Sequence, residues 1–137
     1  MYALSGTSIE RLQGVDVRIV SIVNHALKIS CIDFGIAEYG GLRSTEVQNY
    51  LFQNGASQCD GIHKKSKHQY GTAVDIFAYV DGQASWQIPH LAMVAAAFLQ
   101  AACILNYALQ WGGHFRPLQS QPFLHGWDCG HFELIGA

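Results

Sequence analysis

Apolar residues recur at Ile9, Leu12, Val15, Ile19, Ile22, Val23, Ala26 and Leu27, the three-and-four spacing of one helix face. Thr7 and Glu10 stand at capping-box spacing ahead of that run, and Gly14 divides it into a short helix and a longer one. Asp33 to Tyr39 reads as a short strand, closed by the Gly40-Gly41 pair. Ser44 suits the N-cap of a helix through Val47, Tyr50 and Leu51, which Asn54-Gly55 ends. From Ala56 to Lys67 the chain is polar and without period, so it predicts a loop.

Thr72 to Val80 alternates as a strand does. Val74, Ile76, Ala78 and Val80 form an aliphatic face for a core, and Asp75 looks out from the other side with Ala73, Phe77 and Tyr79. Asp81-Gly82 predicts a turn. Pro89 suits the first turn of a helix carrying Leu91, Val94, Ala95, Phe98, Ala102 and Leu105. The apolar stretch Leu91 to Leu109 is Ala-rich and interrupted by Gln100 and Asn106, so a buried core helix explains it better than a membrane span. Leu109 to Trp111 reads as a strand leading into Gly112-Gly113. The segment from His114 to Trp127 has two prolines and little period, which predicts a long loop flanking a cleft. In the last strand, near Gly130 to Ile135, His131 and Glu133 share one face and Phe132 and Leu134 the other. The sum is an α+β fold, an antiparallel sheet with helices on one side, without internal repeat or linker.

Half of the 137 residues are hydrophobic and only 13% are charged, as in a compact protein with a real core. A formal net charge of -2 and no basic face argue against nucleic acid as partner. Lys64, Lys65 and Lys67 are the one local excess of charge. A solvated loop is the first reading of them, attraction of an anionic substrate the second. Cys31, Cys59, Cys103 and Cys129 form no C-x-x-C pair and read as reduced thiols of a protein made in the cytosol. Met1 to Thr7 has neither the basic start nor the apolar run of an export signal.

Against that quiet background two segments carry chemistry. Ser66-Lys67-His68-Gln69-Tyr70-Gly71-Thr72-Ala73-Val74-Asp75 offers an imidazole and a carboxylate separated by a turn-forming glycine. Asp128-Cys129-Gly130-His131-Phe132-Glu133-Leu134 offers a carboxylate three residues before a second imidazole, and Glu133 beyond it. Two His and one Asp around zinc leave a fourth position for water, the arrangement of a catalytic site. A remaining carboxylate can then serve as base, Asp128 or its rival Glu133. His25, His63 and His90 read as ordinary surface or hydrogen-bonded residues.

The first segment resembles the S-x-H-x-x-G-x-A-x-D signature of zinc D,D- and L,D-peptidases that act on bacterial cell-wall peptides. That group includes D-alanyl-D-alanine carboxypeptidases and phage L-alanyl-D-glutamate endopeptidases. Asp128 to Leu134 resembles the D-x-x-H-F-E-L ending of the endopeptidase branch. Gly41-Leu42-Arg43-Ser44 with the later Gln48 resembles a G-x-R-[ST] turn, and Trp111-Gly112-Gly113 the W-G-G ahead of the closing motif. The opening helix and Ile32-Asp33-Phe34 also read like that branch, so the likeness spans nearly the whole chain.

The resemblance implies a hedgehog/D,D-peptidase-like fold, with residues 1–137 as a single catalytic domain and no separate wall-binding module. It implies one Zn2+ held by His68, Asp75 and His131, with Asp128 as general base. Arg43 would neutralise charge on the substrate carboxylate or on the tetrahedral intermediate. Ser66 and Gln48 would bind substrate or orient a ligand, Glu133 would support His131, and Trp111 would line the cleft, as Trp127 would. The implied activity is hydrolysis of the L-alanyl-D-glutamate bond of peptidoglycan stem peptides by a monomeric phage or prophage endolysin. Such an enzyme would accumulate in the host cytoplasm, insert into no membrane, and reach the wall after a holin-type partner breaches it. Alternatives are a D-alanyl-D-alanine carboxypeptidase, a non-catalytic zinc-binding module of the same fold, and a cysteine peptidase using Cys59 or Cys129. Two departures stand out: His114-Phe115 follows W-G-G where many relatives carry Asp, and the loop to Asp128 is long and holds His125.

Overall fold

A computed structural model describes residues 1–114 and 128–137 of the chain. Helix α1 spans Gly6–Arg11, and its N-cap is Ser5, whose side chain accepts from the Ser8 amide. The expected Thr7–Glu10 box gives way to this cap because Ser5 already holds the extended conformation a cap needs. Gly14, at φ +81°, turns the chain into helix α2, Val17–Ile29. Asp16 caps α2 by accepting from Arg18 N, and Ile19, Ile22, Val23, Ala26 and Leu27 form its buried stripe.

Strand β1, Asp33–Ile36, is shorter than the alternation predicts, because Tyr39 adopts a positive φ of 57° and the chain turns away. It pairs antiparallel with β2, Ala73–Val80, from Asp33 opposite Tyr79 to Ile36 opposite Ile76. Asp81 and Gly82, both at positive φ, form the tight hairpin turn that folds β3, Gln83–Ser85, back onto β2. The first part of β2 pairs instead with β5, His131–Leu134, with Asp75 opposite His131. Strand β4, Leu109–Trp111, closes the order β1-β2-β5-β4.

Helix α3 is Thr45–Gln53, and helix α4, Ile88–Leu105, begins with Pro89 in its first turn, where the missing N–H costs nothing. It is long and apolar enough to cross a membrane, yet its face from Leu91 through Phe98 to Ala102 is buried against α2 and the sheet. Val74, Ile76 and Ala78 of β2 and Phe132 and Leu134 of β5 complete this core. Phe98 stacks on Phe132 at 4.4 Å and meets Phe34 edge-on at 5.2 Å. Burying each such ring contributes roughly 1.5–3 kcal/mol. With one sheet face committed to α2 and α4, the alternation of β2 and β5 delivers Asp75, His131 and Glu133 to the other.

Candidate metal and catalytic site

His68 is presented by a short 3-10 turn, Lys67–Tyr70, and the motif around it has a mechanical reading. The Ser66 hydroxyl accepts from the His68 amide at 3.2 Å, while the Gln69 side chain accepts from Ser66 N at 2.9 Å. This capping box fixes the entry of the turn. Gly71 ends it at φ +72°, where a side chain would be strained and a Cβ would press on the Gly14 carbonyl. Strand β2 starts at once, and Asp75 emerges beside His68.

The three residues converge. His68 Nε2 lies 3.3 Å and His131 Nδ1 2.9 Å from Asp75 Oδ1, and one donor atom from each residue falls within 4.8 Å of the others. The Gly41 carbonyl can only accept, so the His68 Nδ1–H donates to it at 3.0 Å and Nε2 is the ring nitrogen turned inward. His131 meets Asp75 at Nδ1 and Glu133 Oε1, 2.9 Å away, at Nε2. Burial works to lower the His131 pKa, but the carboxylates of Asp75, Glu133 and Asp128 outweigh it and raise it to about 9. Two oriented imidazoles and one carboxylate oxygen, backed by Glu133, fit the donor set of a catalytic zinc site.

The surroundings divide the carboxylates by role. Asp75 is held well below the usual carboxylate range: burial pushes it up, and His68 and His131 more than reverse that push. Asp128, whose Oδ2 is 3.9 Å from His131 Nδ1, is raised instead, by burial first and the Asp75 charge second. Glu133 is lowered by its hydrogen bond to His131. An ionised ligand beside a more basic carboxylate is the separation that general base chemistry needs.

Arg43 lies inside this group with its side chain 11% exposed. Its Nε donates to the Tyr39 carbonyl at 2.7 Å, Nη1 to Gln48 Oε1 at 3.1 Å and Nη2 to Asp75 Oδ2 at 3.0 Å. Gln48 is fully buried behind it, which excludes the direct substrate contact expected of Gln48. Ser66 does line the cleft, and its hydroxyl serves the His68 turn. Trp111 is not among the described residues that line the cleft. Its Nε1 donates to the Cys129 carbonyl at 2.7 Å, while a Cβ on Gly112 would run into the Asp128 backbone. The W-G-G segment thus carries the Asp128 stretch against itself. The Tyr39 carbonyl, which accepts from Arg43, and Ser57, which accepts from Gln48, escaped sequence reasoning. Tyr39 does leave one trace, standing before a Gly-Gly pair.

The cleft encloses about 500 Å³ between these residues, the 55–59 segment and a rim carrying Lys64, Lys65 and Lys67. Size alone does not single it out. A cavity of about 540 Å³ among Tyr2, Cys31, Asp33 and Tyr79 has no metal-ligating cluster among the described residues. The four cysteines form no disulfide, and burial pushes the Cys129 thiol up, opposite to an activated nucleophile. His125 and Trp127 lie outside the described residues, and His114 packs edge-on against Trp111 at 5.1 Å.

A family model described as phage L-alanyl-D-glutamate peptidase matches residues 1–135. The L-alanyl-D-glutamate peptidase of Escherichia phage T5 is 28% identical over 130 residues, which cover 92% of this chain and 93% of that protein. The crystal structure of the Serratia marcescens L-Ala D-Glu endopeptidase ChiX superposes with a TM-score of 0.78 at 32% identity, covering 96% of this chain and 90% of the other.

Proposed function

This chain belongs to the phage L-alanyl-D-glutamate peptidase family, and on that premise we propose that it uses one zinc ion to cut the L-alanyl-D-glutamate bond of peptidoglycan stem peptides. It is a peptidoglycan endopeptidase. The observation that carries the zinc reading is the convergence of His68, Asp75 and His131 beside the raised carboxyl of Asp128. Zinc, when bound, lowers the pKa of water toward ~7 and polarises the scissile carbonyl.

The chain's own groups then do the rest. Asp128 accepts a proton from the attacking water at its carboxylate and returns it to the amine nitrogen as the C–N bond breaks. Arg43, three of whose five N–H groups are already engaged, holds Asp75 through Oδ2 and sets a fixed positive charge beside the developing oxyanion. Glu133 accepts from His131 Nε2 and keeps that ring oriented. Lys64, Lys65 and Lys67 on the rim offer charge to the free carboxylates of a stem peptide. In the lytic setting the enzyme collects in the host cytoplasm and meets the wall after a holin-type partner opens the membrane.

Zinc-loaded protein incubated with purified sacculi should release peptides with new N-terminal glutamate. Asp128→Ala should retain zinc and lose about 10²–10⁴-fold in kcat. Release of D-alanine from pentapeptide stems would move the activity to carboxypeptidase, and new reducing ends would move it to glycan cleavage.

A further inference from the structure

Gln48 is the most deeply buried polar side chain near the cleft, at 0% exposure, and its bonds assign its amide without ambiguity. Arg43 Nη1 can only donate, so the atom 3.1 Å from it is the amide oxygen. The Cys59 carbonyl can only accept, so the atom 2.8 Å from it is the amide nitrogen, whose other hydrogen reaches Ser57 Oγ at 2.8 Å. Gly61, at φ +84°, lets the following loop close over this side chain: a Cβ there would come within 3.0 Å of Gln48 Cβ and Cγ. Ser57 and Cys59 line the cleft, and Gln48 does not.

We propose that Gln48 is a positioning residue that fixes the Arg43 guanidinium against Asp75 and locks it to the Ser57–Cys59 wall of the cleft. Without it, Nη1 loses its acceptor, and the guanidinium is free to swing away from Asp75 Oδ2. The wall loses its two bonds to the Gln48 side chain of helix α3, Thr45–Gln53. Because Arg43 acts on the reacting carbonyl and on a metal ligand, misplacing it should slow turnover more than it weakens substrate binding. The kinetic part rests on the peptidase reading above, and the spectroscopic part does not.

Gln48→Met keeps the length and removes both polar functions. It should lower kcat about 10- to 100-fold, the range for losing a hydrogen bond to a charged group, with KM changed less than about threefold and zinc content unchanged. In an Arg43→Ala background the same substitution should add no further loss, because its effect travels through Arg43. Gln48→Glu retains an acceptor for Arg43 and should recover part of the rate. Independently of any substrate, the Arg43 Nη1–H resonance in ¹⁵N spectra should be protected from exchange in the wild type, unprotected in Gln48→Met and protected again in Gln48→Glu. Additive losses in the double variant, a rise in KM without loss of kcat, or an unchanged Arg43 resonance would each overturn the proposal. Should Gln48→Met fail to fold, Ser57→Ala is the second probe: it removes one of the two wall bonds of Gln48 and should partly expose the same resonance. A wild-type enzyme that releases no glutamate N-termini yet shows this pattern of resonances would sink the peptidase reading and leave this one standing.

Discussion

At His68 the Nδ1–H donates to the Gly41 carbonyl, and that bond decides which nitrogen is left for a metal. His131 is handled in the same way from the far side, by Glu133 at Nε2. Glu133→Ala should therefore weaken zinc binding about 10–100-fold in a chelator competition while leaving the fold intact; an unchanged affinity would show that Glu133 is idle. Asp60, away from the site, allows a pH test. Its carboxylate accepts from the amides of Lys64, Ile62 and His63 and from the His63 ring, and these hold its pKa well below the ordinary value near ~3.9. A folded-state value that is depressed stabilises the turn above the unfolded pKa, and the benefit fades as pH falls through the folded one. A ¹³C titration should show the Asp60 carboxyl changing below pH ~3.9, with the His63 amide shift moving alongside it. A midpoint at or above that value would contradict the geometry. The convergence of His68, Asp75 and His131 was legible because the capped turn at Ser66–Gly71 and the alternation of β2 act locally. Gln48 was not, since a loop thirteen residues further on, at Gly61, decides its burial.

Among the elements, those with strong local signals matched their reading: Ser44 caps α3, α4 starts around Pro89, and β2 and β5 turn the expected faces inward. Strand β3 went unread because its residues are largely exposed and too few to show alternation, so only the Asp81-Gly82 turn announced it. The W-G-G segment was legible as a motif but not in its task, which depends on what it abuts. Strand β4 ends at Trp111, and the short turn Gly112–His114 carries Gly112 against the Asp128 backbone. Gly112→Ala should push the Asp128 stretch away from His131. The expected result is a loss of at least about tenfold in kcat with zinc content retained, since none of the three ligands shares that contact. Full activity in Gly112→Ala would mean that the segment yields freely and that Asp128 is placed by something else.

On the scale of the whole molecule, the site joins parts of the chain that the core does not join directly. Asp75 and His131 belong to paired strands, but His68 comes from the turn outside them, so one ion would tie that turn to the sheet. It would also offset the repulsion between the Asp75 and Asp128 carboxylates, which raises Asp128. Binding to the folded state alone stabilises by about 2.7 kcal/mol at a hundredfold excess over Kd. For a chain of this size that corresponds to a rise in Tm of about 10 °C. Adding zinc to chelator-treated protein should produce that rise, and His131→Ala should abolish it. Phe98→Ala separates the two sources of stability. It removes a ring stacked between Phe132 and Phe34, so it should cost about 3–5 kcal/mol with or without the ion. Because the core face and the donor face of β2 and β5 are opposite sides of the same strands, the zinc-dependent increment should survive that loss. If Phe98→Ala also erased the increment, the donors would owe their convergence to core packing and not to the turn and strand register that present them.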